Sequence, residues 1–376
     1  MAKSKQLVYL NKERCLTAEY LYNSLKKDYE DRGRVVRSIE NGRNVNDMIN
    51  EHVTEAELVS DGFELLTGEM LTERGVKDHA WYCRNILKIL PDEKRPDVIL
   101  TGAGALIPLN PLEIQEKFLA LCEKDIKEKG FVRLVIVKAG RLGMSTIAAS
   151  YLWSGVHLVN GTVGAIIAHQ QTATRRIFNM CKRFYDYTSP YLRPTKSYDN
   201  KTEFVFENVE YGWYSGIEVF TAGVENAARS GGYTACLSTE VSYHKDGEAR
   251  GSIVRAIQDV PGTVIIDEGT ANGIDGFFYN HYWQAKRGEN EFTAGFFAWW
   301  ESPRHTLAFK SEREKDELLE TVASHSLVDK YGNEEVERGL YNLTPEQLNW
   351  RRWYIRNKCQ GRLIKPLDYF KQEMPG

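Results

Sequence analysis

The chain has 376 residues, more than the roughly 100 to 200 of a typical domain, so two or three domains with a sizeable core are expected. A composition of 42% hydrophobic, 27% charged and 11% aromatic residues excludes a disordered chain, and no apolar stretch nears the roughly 18 residues that would span a bilayer. The formal net charge of -3 neither requires nor forbids a nucleic-acid partner, because a local basic channel can sit on an acidic protein.

Residues 1 to about 100 are polar, charged and mostly helical in pattern, with a capping-box signature at Thr54 and Glu57 and no catalytic motif. The runs PDEKRPD (91–97) and TGAGALIPLNP (101–111) read as a linker. The expected organisation is a mostly helical N-terminal region over 1–104, a main domain over 105–340 and a helical segment over 341–376. Within the main domain, RLVIVK (133–138), VGAIIAH (163–169), IEVFTA (217–222), TACLS (234–238), TVIID (263–267) and FTAGFFAWW (292–300) are short apolar runs separated by helical patterns. They predict the buried strands of a mainly parallel α/β sheet flanked by helices. FVFENVEYGWYSGIEVF (204–220) alternates around Gly212 and Gly216 and predicts a hairpin. Six cysteines, Cys15, Cys83, Cys122, Cys181, Cys236 and Cys359, lack CxxC spacing, and no apolar leader precedes MAKSKQ. Both features point to a reducing cytoplasm, and to neither zinc nor a disulfide framework.

KAGRLGMST (138–146) follows the apolar run LVIV and opens the helical run IAASYLW. A phosphate-binding loop needs small residues whose N–H groups surround phosphates, a cation to neutralise them, and a hydroxyl on the first helical turn for magnesium. Gly140, Gly143, Ser145 and Thr146 meet the pattern, but Met144 stands where GxxxxGK[ST] puts lysine and Lys138 where it puts the first glycine. On this segment alone a phosphate loop and an ordinary strand-to-helix turn are both open. Hydrolysis further needs a carboxylate near the γ-phosphate. Read from residues alone, VIIDE (264–268) is the better acidic motif, with Asp267 and Glu268, whereas TACLSTE (234–240) offers Thr239 where an aspartate would stand.

In order along the chain, KAGRLGMST, AIIAHQQTATRRIF, LSTEVSY, IIDEGTANGIDGFFY, FFAWWESP and LTPEQLNWRRWYI resemble the ATPase portion of the large terminase subunits that drive DNA into tailed-bacteriophage capsids, over about residues 105–373. The resemblance implies a P-loop NTPase of the additional-strand, RecA-like type. It would hydrolyse ATP with Mg2+ and move double-stranded DNA into a procapsid. Portal protein and a small terminase subunit would be its partners, in a ring docked at the portal in the cytoplasm of an infected bacterium. Residues 138–146 (Lys138, Ala139, Gly140, Arg141, Leu142, Gly143, Met144, Ser145, Thr146) would then form a deviant Walker A loop with Lys138 and Arg141 as its cations. Ser145 and Thr239 would hold magnesium. Glu240, in LSTE, becomes the general base of the Walker B motif, and Thr270 with Ala271 and Asn272 the motif coupling hydrolysis to DNA. The chain departs from the family at Gly140, where relatives carry arginine followed by glutamine, and at Gly269, where they carry serine. Gln115 is implied as an adenine reader. Arg229, between Ala228 and a Gly-Gly pair, is a candidate arginine finger for a neighbouring subunit. In relatives a nuclease domain of RNase H type follows the segment similar to LDYFKQEMPG (367–376), where this chain ends, so DNA cleavage is not expected of it.

Arg175, Arg176, Lys182 and Arg183 are candidate phosphate contacts or a solvated helix face. His169 reads as structural. Thr344 to Gln347 predicts a capped helix start with proline at its first position, and Trp350, Trp353 and Tyr354 a packing stripe. Two other readings stay open: a superfamily-2-like helicase with VIIDE as Walker B, and a non-catalytic DNA-binding or capsid-assembly protein on a degenerate ATPase fold.

Overall fold

The computed structural model describes residues 6–9, 63–66, 68–90, 106–188, 193–209, 212–222, 232–244, 248–361 and 363–376. Thr54, Glu57 and Arg229 lie outside them, as does Cys15. Within the N-terminal region, residues 6–9 and 63–66 form a two-stranded parallel ribbon that the helical pattern of the sequence does not announce. Helices α1 (Gly68–Lys77) and α2 (His79–Ile86) follow, the second capped by Asp78, whose carboxylate accepts from the Trp81 N–H at 2.8 Å.

The domain then alternates α3 (Glu113–Lys129), β1 (Val132–Lys138), α4 (Met144–Leu158), β2 (Val163–Ala168) and α5 (Gln171–Tyr187). Three antiparallel-linked strands come next, β3 (Lys196–Asp199), β4 (Glu203–Asn208) and β5 (Trp213–Thr221). After them run β6 (Ala235–Thr239), α6 (Glu248–Ala256), β7 (Val264–Gly269), α7 (Gly276–Lys286) and β8 (Thr293–Phe297). These strands form one eight-stranded sheet in the order β8-β1-β7-β6-β2-β5-β4-β3. All pairs from β8 to β5 are parallel, and β4 and β3 add an antiparallel edge. β7 is thus inserted between the loop-bearing β1 and β6, which is the additional-strand arrangement of RecA-like folds.

Each apolar run expected as a strand is one, because continuous Val, Ile and Leu are stable only where both faces are covered. In β1, Val132, Leu134, Val135 and Ile136 are fully buried. The run 292–300 stops at Phe297 and turns through a short 3-10 segment, Trp299–Glu301. The hairpin pairs β4 with β5. Its turn lies at Gly212, with φ +61°, whereas Gly216 sits inside β5. β3 has no signal in the sequence, since KSYD is exposed at every position and pairs only along an edge.

Helix α2, ahead of the expected boundary at residue 105, adds Trp81, Tyr82, Cys83 and Ile86 to the same core as Trp153, Phe118 and Ile136. It is joined to α4 by Tyr82 Oη to His157 Nδ1 at 2.6 Å and His79 Nε2 to Ser150 Oγ at 3.1 Å. Beyond β8, α8 (Glu312–Ala323), α9 (Glu334–Tyr341), α10 (Pro345–Lys358) and α11 (Pro366–Glu373) fold back onto the domain. Trp350 stacks on Trp299 at 5.4 Å and on His305 at 4.2 Å, so this part of the aromatic stripe is packing. Thr344 and Gln347 form the expected capping box with Pro345 at the first position of α10. A buried network ties α9 to α10: Arg352 Nε donates to both Glu334 oxygens, at 2.9 and 3.1 Å, and Arg351 Nη1 reaches Glu334 at 3.3 Å. No helix among the described residues is long and apolar enough to cross a membrane.

Candidate nucleotide site

β1 delivers the chain to the carboxyl edge of the sheet, where α/β folds place their ligands, and α4 leaves from it. Between them, Arg141 and Gly143 both adopt left-handed backbone, with φ of +61° and +68°. Gly143 is the N-cap of α4, a position where absence of Cβ matters twice, since a Cβ there would meet Gln115 Nε2 at 2.5 Å. Of the loop residues, Ala139, Leu142 and Met144 are buried in the core. Met144 therefore packs rather than faces the loop, and the residue standing where lysine is usual offers no charge. Thr146 is partly buried on the first turn of α4.

Lys138 is 8% exposed, and its Nζ lies 3.5 Å from Glu268 Oε2. Ser145 Oγ donates to Glu268 Oε1 at 2.7 Å. The displaced lysine, the helix-start hydroxyl and a carboxylate from β7 thus meet at one place. Arg141 is exposed, and its charge, after burial and Arg304, helps to lower the pKa of His305. Two loop N–H groups are engaged by other segments: Ala139 donates to Phe297 O at 2.9 Å and Gly140 to Glu373 O at 2.7 Å.

Strand alternation separates the two acids of VIIDE. Glu268 faces the loop and is fully buried. Asp267 faces the opposite side of the sheet, where Arg250 Nε donates to its Oδ1 at 2.8 Å, a second Arg250 nitrogen reaches Oδ2, and His281 Nε2 lies 3.2 Å from Oδ2. Burial pushes the Asp267 carboxyl up, but Arg250 and His281 outweigh it and hold the group well below the usual carboxylate range. Asp267 and Glu268 do not converge as a metal-binding pair. Among the described residues no three His, Cys, Asp or Glu side chains gather as a metal cluster.

Glu240 follows β6 directly, with left-handed backbone (φ +54°) and a side chain 41% exposed. Its Oε2 lies 2.6 Å from His169 Nδ1. A search of the sequence for His or Cys partners of His169 misses this contact. The signal is positional: β2 and β6 pair in register at Ala168 and Thr239, so their next residues, His169 and Glu240, leave the sheet side by side. Thr239 is 1% exposed, and its Oγ1 has no hydrogen-bond partner among the described residues, while its carbonyl lies 3.0 Å from His244 Nε2.

The coupling segment sits against the turn that follows Glu240. Asn272 Nδ2 donates to Ser242 O at 2.9 Å, and Thr270 is buried beside the Tyr243 hydroxyl. A Cβ at Gly269 would stand 3.3 Å from the Val241 nitrogen, which gives the missing serine a physical reason: the strand end approaches neighbouring backbone too closely for a side chain to fit without a shift. Tyr243 Oη in turn donates to Glu373 Oε1 at 2.9 Å and accepts from Gln372 Nε2 at 2.9 Å. Burial first, then the Glu373 charge, raises the Tyr243 phenol above its ordinary pKa.

Gln115, expected to read adenine, is engaged within the protein. It is 4% exposed; Nε2 donates to Leu142 O at 3.2 Å and to Gly143 O at 3.0 Å, and Oε1 accepts from Leu112 N at 2.9 Å. In this arrangement the amide donor and acceptor that would read adenine are both taken up within the protein, and the side chain clamps the loop. On α5, Arg175 and Arg176 are exposed, whereas Lys182 is tied to Asn200 O at 2.6 Å and to Asp199.

No protein-family model matches the sequence, and no curated protein does. Among solved structures the chain is similar to the large terminase ATPase domain of Thermus phage P74-26 (14% identity, TM-score 0.46, covering 76% of this chain and 98% of that one). It is also similar to the large terminase of bacteriophage HK97 (13%, TM-score 0.47, covering 70% and 54%) and to that of a thermophilic bacteriophage (14%, TM-score 0.40, covering 50% and 45%). The chain thus spans about half the length of those two terminases.

Proposed function

We propose that this chain is the ATPase of a phage DNA-packaging motor, a terminase large-subunit ATPase that couples ATP hydrolysis to movement of double-stranded DNA. The observation carrying the nucleotide part is the meeting of Lys138, Ser145 and Glu268 at a strand-loop-helix with additional-strand topology. The motif order KAGRLGMST, LSTEVSY, IIDEGTANG and LTPEQLNWRRWYI supports the packaging part.

Lys138 and the N–H groups opening α4 would bind the phosphates. The buried Thr239 hydroxyl, unpartnered among the described residues, and the Ser145 hydroxyl are hard oxygen donors that fit magnesium. When bound, the ion neutralises the phosphate charge that builds up during transfer. Glu240, partly exposed at the end of β6 and contacted by His169, would take a proton from the attacking water. Thr270 and Asn272, packed on the turn after Glu240, would relay the event to the segments that hold DNA. Arg229 would reach a neighbouring subunit's phosphates in a ring, with portal protein and small terminase subunit as partners at the host's procapsid portal. The separation of Asp267 from Glu268 weighs against VIIDE as a Walker B pair.

The test is steady-state ATP hydrolysis with and without double-stranded DNA, by the wild-type chain and Glu240→Gln. The expected result is turnover in the wild type and a loss of about 100-fold or more in the variant, with ATP binding retained. Turnover that survives in Glu240→Gln removes the assignment of the base; a wild-type chain that binds DNA but no nucleotide removes the motor.

A further inference from the structure

A carboxylate beside the Walker A hydroxyl is normally found on the strand that bears the general base, and here that strand offers only Ser238 and Thr239 before Glu240. We infer that the acid has moved one strand across, and that Glu268 on β7 is the carboxylate of the magnesium site, acting with Ser145 and Thr239. The inference rests on the nucleotide-binding reading above and adds a ligand that the motif order did not assign.

Three observations converge. Glu268 is fully buried, yet among the described residues its only charged partner is Lys138 at 3.5 Å; the Ser145 hydroxyl serves Oε1, and Oε2 has no hydrogen bond. A buried carboxylate so thinly compensated is costly unless something else neutralises it. Second, Thr239 is the register partner of Glu268, and paired residues on adjacent parallel strands project from the same face. The Thr239 hydroxyl is likewise buried and unpartnered among the described residues. Third, Ser145, already bonded to Glu268, lies in the first turn of the helix opened by the loop, where phosphates would stand. Two hydroxyls, one carboxylate and phosphate oxygens form the all-oxygen, water-completed set that magnesium favours. Lys138 is the counter-ion of Glu268 at 3.5 Å, and a phosphate that paired with the lysine would leave the carboxylate available to hold the ion.

The test is the affinity for ATPγS measured calorimetrically in magnesium and in EDTA, for the wild type, Glu268→Gln, and Glu268→Gln combined with Thr239→Asp. The wild type should bind at least about tenfold more tightly with magnesium. In Glu268→Gln that ratio should fall towards one, with metal-free binding as tight as in the wild type or tighter, because a negative charge has left the phosphate site. The added Thr239→Asp should restore the ratio by returning a carboxylate to β6. As a check that needs no variant, Fe2+ in place of magnesium with ascorbate and peroxide should cut the wild-type backbone near residues 145, 239 and 268. An unchanged ratio in Glu268→Gln, or a cleavage pattern lacking residue 268 while nucleotide binding remains metal-dependent, overturns the inference alone. A wild-type chain that binds no nucleotide in either condition overturns both the inference and the reading beneath it.

Discussion

Replacing Asp267 by asparagine should unfold the domain more readily without disabling its nucleotide site. The side chain is fully buried and its two oxygens are held by Arg250 and His281, which are each only 7% exposed. Asparagine keeps the shape but removes the charge, leaving the Arg250 guanidinium buried without a counter-ion. Removing one partner of such a pair costs about 3 to 5 kcal/mol, a large share of the roughly 5 to 15 kcal/mol that holds a typical domain together. The same group sets an acid dependence. Its folded pKa is depressed, so it contributes stability above its unfolded value, near about 3.9, and that contribution is lost as pH falls towards the folded value. Urea unfolding at about pH 7 should show the full loss in Asp267→Asn, and the gap from the wild type should narrow as pH falls below about 4. Nucleotide affinity of the folded variant should match the wild type, because Asp267 faces away from the loop. A variant of unchanged stability would refute the assignment of Asp267 to the scaffold, and one that folds normally but loses metal-dependent nucleotide binding would revive Asp267 and Glu268 as a metal-binding pair.

Gln115→Ala tests whether that side chain clamps the loop or reads a base. The clamp predicts a stability loss of about 1 to 3 kcal/mol from the unpaired buried groups, seen in thermal unfolding, and equal weakening of ATP and GTP binding; loss of discrimination with stability intact would favour the base reader. Thr344→Ala removes the acceptor of the Gln347 N–H at the start of α10 and should cost about 1 kcal/mol in urea unfolding, with ATP hydrolysis unchanged at temperatures where the variant is folded.

The parallel sheet is legible in the sequence because its strands are continuous apolar runs bounded by turn residues, as in VRLVIVK and VIIDEG. The loop is legible from its glycines and hydroxyls. What escapes is which side chains the strand order brings together. The additional-strand type that the resemblance implies puts a strand between β1 and β6, but the runs themselves do not say that the insertion carries Glu268 to Ser145 across 123 residues. His169 looks merely structural for the same reason, since its partner Glu240 is a neighbour only through the β2 and β6 pairing. Gln115 is readable as part of the site but not on which side of it: its spacing from the loop is a property of the sequence, whereas the direction of its amide is set by how α3 packs. β3 is invisible because an edge strand with no buried face needs no apolar residue.

The position of α11 adds a physical constraint on the loop. The Gly140 N–H is bonded to Glu373 O, and a Cβ at Gly140 would press on that carbonyl and on the Met374 methyl, both at 3.3 Å. A backbone N–H makes one good hydrogen bond. A phosphate oxygen that took the Gly140 N–H would compete with Glu373 O for it, and any coupling between phosphate binding and the seating of α11 would be equal in both directions. Glu373 is also the acceptor for Tyr243, three residues beyond the proposed base, and Tyr243 adjoins Thr270 at the end of β7. The helix thus contacts the loop directly and, through Tyr243, the turn after β6 that adjoins the end of β7. A change at any one of them alters the same small set of bonds, so the occupancy of the loop and the seating of α11 are properties of one equilibrium.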